Sequence, residues 1–190
     1  EARVGDFPIT DEAASKKFAN GLLSELKPSV IISIERCGPT DEGLYRNMRN
    51  LDIIEHTARV DTLFSDHPAT VGIGDGGNEI GMGNLAEVVA TEPSLVEKAC
   101  VTTTTKLVIA SVSNWGGYGL VAALSRRHGS NLLVSVDEEQ ELVKRVADMG
   151  AVDGMSTKSE HKVDGFTLEE NSQTVARLHK LLDAEGVPHG

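Results

Sequence analysis

Short runs rich in β-branched residues recur along the first 110 positions of the chain, and each run leads into a polar or turn-forming segment. The runs read SVIISIE at 29–35, ATVGIGD at 69–75 and TTTTKLVIA at 102–110. A continuous run without strict alternation, as in SVIISIE, is typical of a strand buried on both faces of a parallel sheet. Helical patterns lie between and after these runs, and such alternation predicts an α/β fold. We therefore expect a single α/β domain with a mostly parallel sheet and helices on both faces.

The helical patterns are bounded by capping and stop signals. Apolar residues four positions apart predict a helix from Thr10, its capping residue, to about Leu26. In the second half we expect a turn-rich segment at 111–119, a helix at 120–128 that ends at Gly129, and a strand at 132–136. Two further helices are predicted from capping pairs at their starts, Asp137 with Gln140 and Thr167 with Glu170.

The charge of the chain narrows its partners. It has 18 Lys and Arg against 29 Asp and Glu, which gives a formal net charge of −11. Nucleic acid and anionic membrane surfaces both select for basic faces, so we expect no nucleic-acid partner and no membrane partner. Two cysteines, Cys37 and Cys100, are too few for a disulfide framework. An acidic protein that binds an anionic substrate needs a local cation, and a metal ion is the simplest one.

The segment GIGDGGNEIGMGN at 72–84 is the richest in chemistry. Its glycines let the backbone approach a ligand closely, and Asp75, Asn78 and Glu79 supply oxygen donors at the carboxyl end of a predicted strand. Such donors suit Mg²⁺, Mn²⁺ or Ca²⁺. Two other interpretations remain open here. The segment contains the G-x-G-x-x-G pattern of dinucleotide-binding sites, or it is a glycine-rich turn whose Asp and Asn cap the next helix.

Two further segments add candidate residues. Glu35 ends the first predicted strand with Arg36 beside it, so its carboxylate can join the same site; the alternative is an exposed Glu–Arg pair. The segment SNWGGY at 113–118 places Asn114, Trp115 and Tyr118 among glycines. Aromatic residues in such a connection can line a small-ligand pocket, or Trp115 can simply pack the start of a helix.

Taken together, these segments resemble the D-glutamate cyclase domain family. The resemblance lies in IERCG at 34–38, GIGDGGNEIGMGN at 72–84 and SNWGGYGL at 113–120, with VDG at 152–154 and 163–165, and it covers about 29–182. It implies a lyase that converts D-glutamate to 5-oxo-D-proline and water. It further implies that residues 1–190 form one such domain that lacks an amino-terminal portion, in the cytoplasm of a bacterium or the mitochondrial matrix of a eukaryote.

The resemblance also implies roles for the candidate residues. The catalytic and metal-binding set is Glu35, Asp75 and Glu79, and the substrate-binding set is Arg36, Asn78, Asn114, Trp115 and Tyr118. We expect Mn²⁺ or Mg²⁺ as the metal and a small amino acid as the substrate, and a homo-oligomer is compatible with the sequence. A different metal-dependent enzyme acting on a small carboxylate or phosphate, or a non-catalytic ligand-binding module, stays open as an alternative.

Overall fold

The computed structural model describes residues 3–189. The chain divides between Ser113 and Asn114 into two compact units. The α-helices are α1 (Glu12–Leu26), α2 (Ala86–Val89), α3 (Ser113–His128), α4 (Val136–Asp148) and α5 (Leu168–Ala184). The strands are β1 (Ile31–Ile34), β2 (Thr70–Gly74), β3 (Lys106–Ile109), β4 (Lys162–Val163) and β5 (Phe166–Thr167). Short 3-10 helices span Ile54–His56, Val60–Leu63 and Met82–Leu85.

A three-stranded parallel sheet organises the first unit. Its strand order is β1-β2-β3, with Ile31 opposite Thr70 and Val71 opposite Lys106. Because the strands are parallel, their carboxyl ends lie at one edge of the sheet. The structure thus confirms the predicted α/β class and its parallel sheet, while helices on both faces stay a prediction.

The burial of β1 differs from the expectation. Ile32 and Ile34 are 41% and 50% exposed, so the predicted burial on both faces is wrong for this strand. These two residues alternate with Ser33, which is buried, so within residues 3–189 one face of β1 is covered and the face that carries Ile32 and Ile34 is largely open to solvent. On the central strand β2, in contrast, Ile73 is fully buried.

Helix α1 precedes the sheet and ends before Pro28. Its cap is Asp11, whose carboxylate accepts a hydrogen bond from the Ala14 N–H at 2.8 Å, so the predicted cap Thr10 lies one residue too early. The helix stops at Lys27, which adopts a left-handed conformation with φ of 45°. Such a residue terminates the helical hydrogen-bond ladder, and the proline that follows prevents its continuation.

A small apolar cluster holds the glycine-rich segment against the sheet. Met82, Val89 and Val96 are buried together, and Leu95, Ala99 and Leu107 pack around them. Each fully buried aliphatic side chain contributes about 1.5–3 kcal/mol relative to exposure. The cluster therefore anchors the segment that follows β2 to β3.

The second unit contains most of α3, together with α4, α5 and the β4–β5 antiparallel pair. Ala122, Leu182 and Val187 form its buried cluster. Since α3 begins at Ser113, the predicted turn over 111–119 is wrong, although the predicted end at Gly129 is confirmed by its φ of +80°.

Two further expectations for this unit are corrected. Residues 132–136 form no strand, because the capping box at Ser135 starts α4 at Val136, and the Val134 carbonyl oxygen lies 2.9 Å from the Nε2 of His179. The capping box of α4 is Ser135 with Glu138, two residues before the predicted pair. An N-cap needs an extended backbone, which Ser135 has, whereas Asp137 already lies inside the helix. The capping pair Thr167 with Glu170 at α5 is confirmed.

Two further properties concern the helices and the cysteines. Over residues 3–189, no helix is both long and apolar enough to cross a membrane. Both cysteines are free thiols, and burial raises the pKa of Cys37 and of Cys100 to about 11.

Candidate active site

Three carboxylates converge at the carboxyl edge of the parallel sheet. Glu35 directly follows β1, Asp75 directly follows β2, and Glu79 comes four residues later. One carboxylate oxygen from each residue lies within 4.8 Å of those of the other two. The structure therefore brings together the three residues that the sequence predicts as catalytic and metal-binding, and it does so because neighbouring parallel strands end side by side.

Glu79 is the buried member of this trio, with 1% of its surface exposed. The glycine-rich segment wraps around its carboxylate: Oε1 accepts hydrogen bonds from the N–H groups of Gly76 at 2.9 Å and Asp75 at 3.3 Å, and Oε2 accepts one from Gly77 at 2.8 Å. Burial raises the pKa of Glu79, and the nearby negative charge of Asp75 raises it further, while these N–H donors act in the opposite sense. Glu79 thus fixes the shape of the segment as well as contributing a charge.

Two glycines make this arrangement sterically feasible. A Cβ at Gly74 would lie 3.0 Å from the Cβ and Oε2 atoms of Glu79, and Gly77 has a φ of +103°, which other residues rarely adopt. Gly74 belongs to β2, as does Gly72, whereas a dinucleotide-binding fingerprint places its glycines after the strand. The geometry therefore argues against the dinucleotide interpretation.

Asp75 is oriented by the residue at which α3 begins. Its Oδ2 accepts hydrogen bonds from the backbone N–H of Ser113 at 2.9 Å and from the Ser113 hydroxyl at 3.2 Å. The alternative in which Asp75 caps the next helix along the chain is therefore wrong, because its hydrogen bonds go to Ser113 at the start of α3, and the next helices have no side-chain cap. Ser113 was not identified from the sequence as a partner of Asp75, because the glycines of SNWGGY favoured a turn and left a helix start only as an alternative.

Glu35 has an unusual backbone conformation. Its φ is +55°, and its N–H still donates to the Ile73 carbonyl at 3.1 Å, so the residue completes the β1–β2 ladder and then turns. A residue with a Cβ in this region costs on the order of 1–3 kcal/mol, and such strain is concentrated at functional sites. The side chain is exposed, in contrast to that of Glu79.

Arg36 and Asn78 connect the site to the preceding loops. The Nη2 of Arg36 donates to the Ala58 carbonyl at 3.0 Å, and the Nδ2 of Asn78 donates to the Arg46 carbonyl at 2.9 Å. The Oδ1 of Asn78 is buried and has no hydrogen-bond partner within residues 3–189. These contacts position loops, and a role of either residue in substrate binding stays a prediction.

The aromatic candidates lie in the second unit, in a chain of hydrogen bonds. The Nε1 of Trp115 donates to the Oδ1 of Asn171 at 2.6 Å, and the Nδ2 of Asn171 donates to the Oε1 of Glu139. The Tyr118 hydroxyl donates to the same oxygen at 3.3 Å, and burial, followed by the Glu139 charge, raises the pKa of Tyr118 to about 12. Glu139 is buried, with 1% of its surface exposed.

A cavity of about 250 Å³ adjoins this network within the second unit. Asn114 and Tyr118 line it together with aliphatic residues such as Leu142 and Val146, whereas Trp115 packs against Phe166 with ring centroids 4.9 Å apart. Trp115 therefore fits the alternative interpretation of a packed helix start. Substrate contact by Asn114, Trp115 and Tyr118 stays a prediction.

The donor set of the carboxylate trio fits a hard divalent cation. Glu35, Asp75 and Glu79 offer oxygen ligands only, which suits Mg²⁺ or Mn²⁺ better than zinc. A cation there would also offset the repulsion between Asp75 and the buried Glu79 carboxylate. The three residues could therefore hold a metal ion.

The fold and this trio define an acidic α/β protein with a candidate metal centre, and comparison with known proteins assigns its family. A family model described as D-glutamate cyclase-like, C-terminal, matches residues 3–179, and the chain belongs to this family. The human protein named D-glutamate cyclase, mitochondrial, is 39% identical over 100 residues. That match covers 50% of this chain and 16% of the relative, so the chain corresponds to a small part of the human protein.

Proposed function

We propose that this chain converts D-glutamate to 5-oxo-D-proline and water, assisted by Mn²⁺ or Mg²⁺ bound at the carboxylate trio. The observation that carries the proposal is the convergence of Glu35, Asp75 and Glu79 at one edge of the sheet, in a member of the D-glutamate cyclase-like family. The name of the human relative supports the choice of substrate.

The reaction is a ring closure within one molecule. The α-amino nitrogen forms a bond to the carbon of the side-chain carboxylate, and one C–O bond of that carboxylate breaks. The substrate ammonium loses two protons, and both leave with the departing oxygen as water. Two obstacles follow: the amine must be deprotonated, and a carboxylate is a poor electrophile at neutral pH.

Asp75 and Glu79 would hold the metal ion, with Glu35 beside them. When bound, such an ion withdraws electron density from the side-chain carboxylate and stabilises negative charge that develops on its oxygen. Ser113 keeps Asp75 in place through two hydrogen bonds, and the N–H groups around Glu79 keep the second carboxylate rigid. This pre-organisation reduces the reorganisation needed when the substrate binds.

Glu35 is the best placed proton acceptor. It is the exposed member of the trio, whereas Glu79 is buried. An exposed carboxylate at the edge of the site can accept a proton from the substrate ammonium and deliver it to the departing oxygen. Its fixed backbone geometry then contributes by holding the acceptor near the amine.

The decisive experiment measures 5-oxoproline formation by this chain from D- and L-glutamate. The reactions contain EDTA, Mg²⁺ or Mn²⁺, and the variant Asp75→Asn is compared with Glu55→Gln, which removes an exposed carboxylate outside the trio. Asn at position 75 can still accept the hydrogen bond from Ser113, so this variant removes the charge with little loss of structure.

We expect metal-dependent product from the D-isomer, lost in Asp75→Asn and retained in Glu55→Gln. Metal binding without turnover of glutamate would shift the assignment to a different metal-dependent enzyme. Unchanged turnover and metal content in Asp75→Asn would reject the role of the trio.

A further inference from the structure

An apolar groove of about 640 Å³ runs along α1 in the first unit, beside the segment at 8–10. Ala14, Phe18 and Leu22 supply its apolar surface, and Phe18 is 38% exposed. Gly21 lies in the same groove, and a Cβ at this position would meet no atom within 4 Å. The helix therefore presents an apolar surface with a small residue on it.

Two charged residues, Lys17 and Glu25, also line the groove. Neither has an ion-pair partner within the described part of the chain, 3–189. Glu25 lies in the last turn of α1, which contains no basic residue. A carboxylate there faces the negative end of the helix dipole, so its position is unfavourable in an isolated protomer.

The two charges are spaced symmetrically around the small residue. Lys17 precedes Gly21 by four positions and Glu25 follows it by four, which places each about 6 Å from Gly21 along the helix axis. When two such helices pack antiparallel about a two-fold axis at Gly21, Lys17 of each protomer faces the partner's Glu25. The surface is therefore complementary to itself, as a two-fold interface requires.

We propose that this groove is the interface of a homodimer, in which α1 packs antiparallel against α1 of a second copy of the chain. Gly21 lets the two helices approach closely at the axis, and Phe18 and Leu22 bury apolar surface on either side of it. The partner's Lys17 compensates the unfavourable carboxylate of Glu25. Since a contact based on one helix pair is small, the dimer is weak, on the order of micromolar. The inference is independent of the proposed reaction.

Sedimentation velocity of the full chain over a series of concentrations tests the dimer. Lys17→Glu and Glu25→Lys each replace two attractive contacts with two repulsive ones, so each variant dimerises about tenfold more weakly than wild type. A mixture of the two variants restores complementary pairs and forms a heterodimer. The double variant, which exchanges both charges, regains the homodimer.

The variant Gly21→Leu distinguishes a loss of the dimer interface from a loss of protomer stability. Leucine has a higher helix propensity than glycine and open space around it in the protomer, so the variant keeps or increases its melting temperature. The added side chain prevents close approach at the axis, and the dimer is lost. Gly21→Ala, with a single added methyl group, is the milder control.

The expected set of results is a concentration-dependent dimer, weakened by each single charge reversal, restored on mixing and abolished by Gly21→Leu. A wild-type chain that remains monomeric at every concentration overturns the proposal, including the case in which another segment or partner occupies the groove. A dimer that none of the variants changes overturns it too, because it must then use another surface.

Discussion

At Glu35, backbone strain and the candidate function coincide in one residue. Its φ of +55° is costly for any residue with a Cβ. Glu35→Gly removes that strain, and we expect the free energy of unfolding to rise by about 1 kcal/mol. The same change removes a carboxylate from the trio, so metal affinity and turnover fall. Urea denaturation and metal titration on the same samples measure the two effects.

The matched control is Lys27→Gly. Lys27 also has a left-handed backbone, with φ of 45°, and it lies at the end of α1, outside the trio. We expect a similar gain in stability with unchanged metal affinity. The strain at Glu35 has no connection with the site if Glu35→Gly leaves metal affinity unchanged. The same conclusion follows if Lys27→Gly lowers metal affinity as much as Glu35→Gly does.

Glu79 and Asp75 are both carboxylates, yet they should respond differently to loss of charge. Both carboxylate oxygens of Glu79 accept hydrogen bonds from backbone N–H groups. In Glu79→Gln an NH₂ group replaces one of these oxygens, and it cannot accept the hydrogen bond of the backbone N–H that it faces. We expect this variant to lose roughly 2 kcal/mol of stability. Asp75→Asn, which keeps an acceptor for Ser113, should lose under about 1 kcal/mol. Equal losses in urea denaturation would contradict the structural role assigned to Glu79.

At the scale of elements, α3, α4 and α5 share one buried acid. Glu139 on α4 contacts Tyr118 on α3 and Asn171 on α5, and its burial raises its pKa. The pKa of Glu139 is therefore higher in the folded chain than in the unfolded chain. Between these two pKa values the folded state binds more protons, so the contribution of Glu139 to the free energy of unfolding falls as pH rises through this window. Below the window Glu139 is neutral in both states and the loss is absent.

Glu139→Gln removes this dependence. Glutamine keeps the oxygen that accepts from Asn171 and carries no charge, so the stability of the variant relative to wild type should increase from acidic to neutral pH. Chemical denaturation at a series of pH values measures the difference, and Glu141→Gln serves as the control for the loss of one carboxylate from α4. A relative stability that falls as pH rises would contradict the assignment.

The elements also show what the sequence can predict. β1, β2 and β3 were predicted because β-branched runs bounded by polar segments are a local signal, and the positions of Glu35 and Asp75 at their ends follow from parallel pairing alone. Residues 132–136 carry the same local signal but form no strand, because the capping box at Ser135 starts α4 at Val136. The start of α3 was only an alternative in the sequence analysis, since its glycines weaken the helical pattern, and the link from Ser113 to Asp75 was not predicted.

Residue contacts that are distant in the sequence explain the remainder. The partners of Trp115 and Tyr118 are Asn171 and Glu139, 56 and 21 positions away, and no local pattern connects them. The burial of Glu79 was equally invisible, since its hydrogen bonds depend on how the glycine-rich segment folds back on itself. The sequence therefore predicted which acids meet, but not what holds them.

At the scale of the whole molecule, a net charge of −11 complicates any claim of specific metal binding. Any added salt screens the repulsion among these charges and thereby stabilises the folded chain. Binding at a specific site stabilises the folded chain further: at a free ion concentration 100 times the dissociation constant, it adds about 2.7 kcal/mol to the free energy of unfolding. Screening depends on ionic strength and acts on all charges, whereas binding at a specific site depends on the concentration of the metal ion and requires the trio.

We therefore expect Mn²⁺ or Mg²⁺ to raise the melting temperature of wild type beyond the shift produced by NaCl at equal ionic strength, and EDTA to reverse it. Asp75→Asn should retain only the shift that NaCl also produces, because screening acts on all charges whereas the site depends on the trio. Glu55→Gln, with the same net charge as Asp75→Asn, should behave like wild type. Equal metal-induced shifts in the two variants would mean that the ions act by screening alone, and the trio would lose its role as a metal centre.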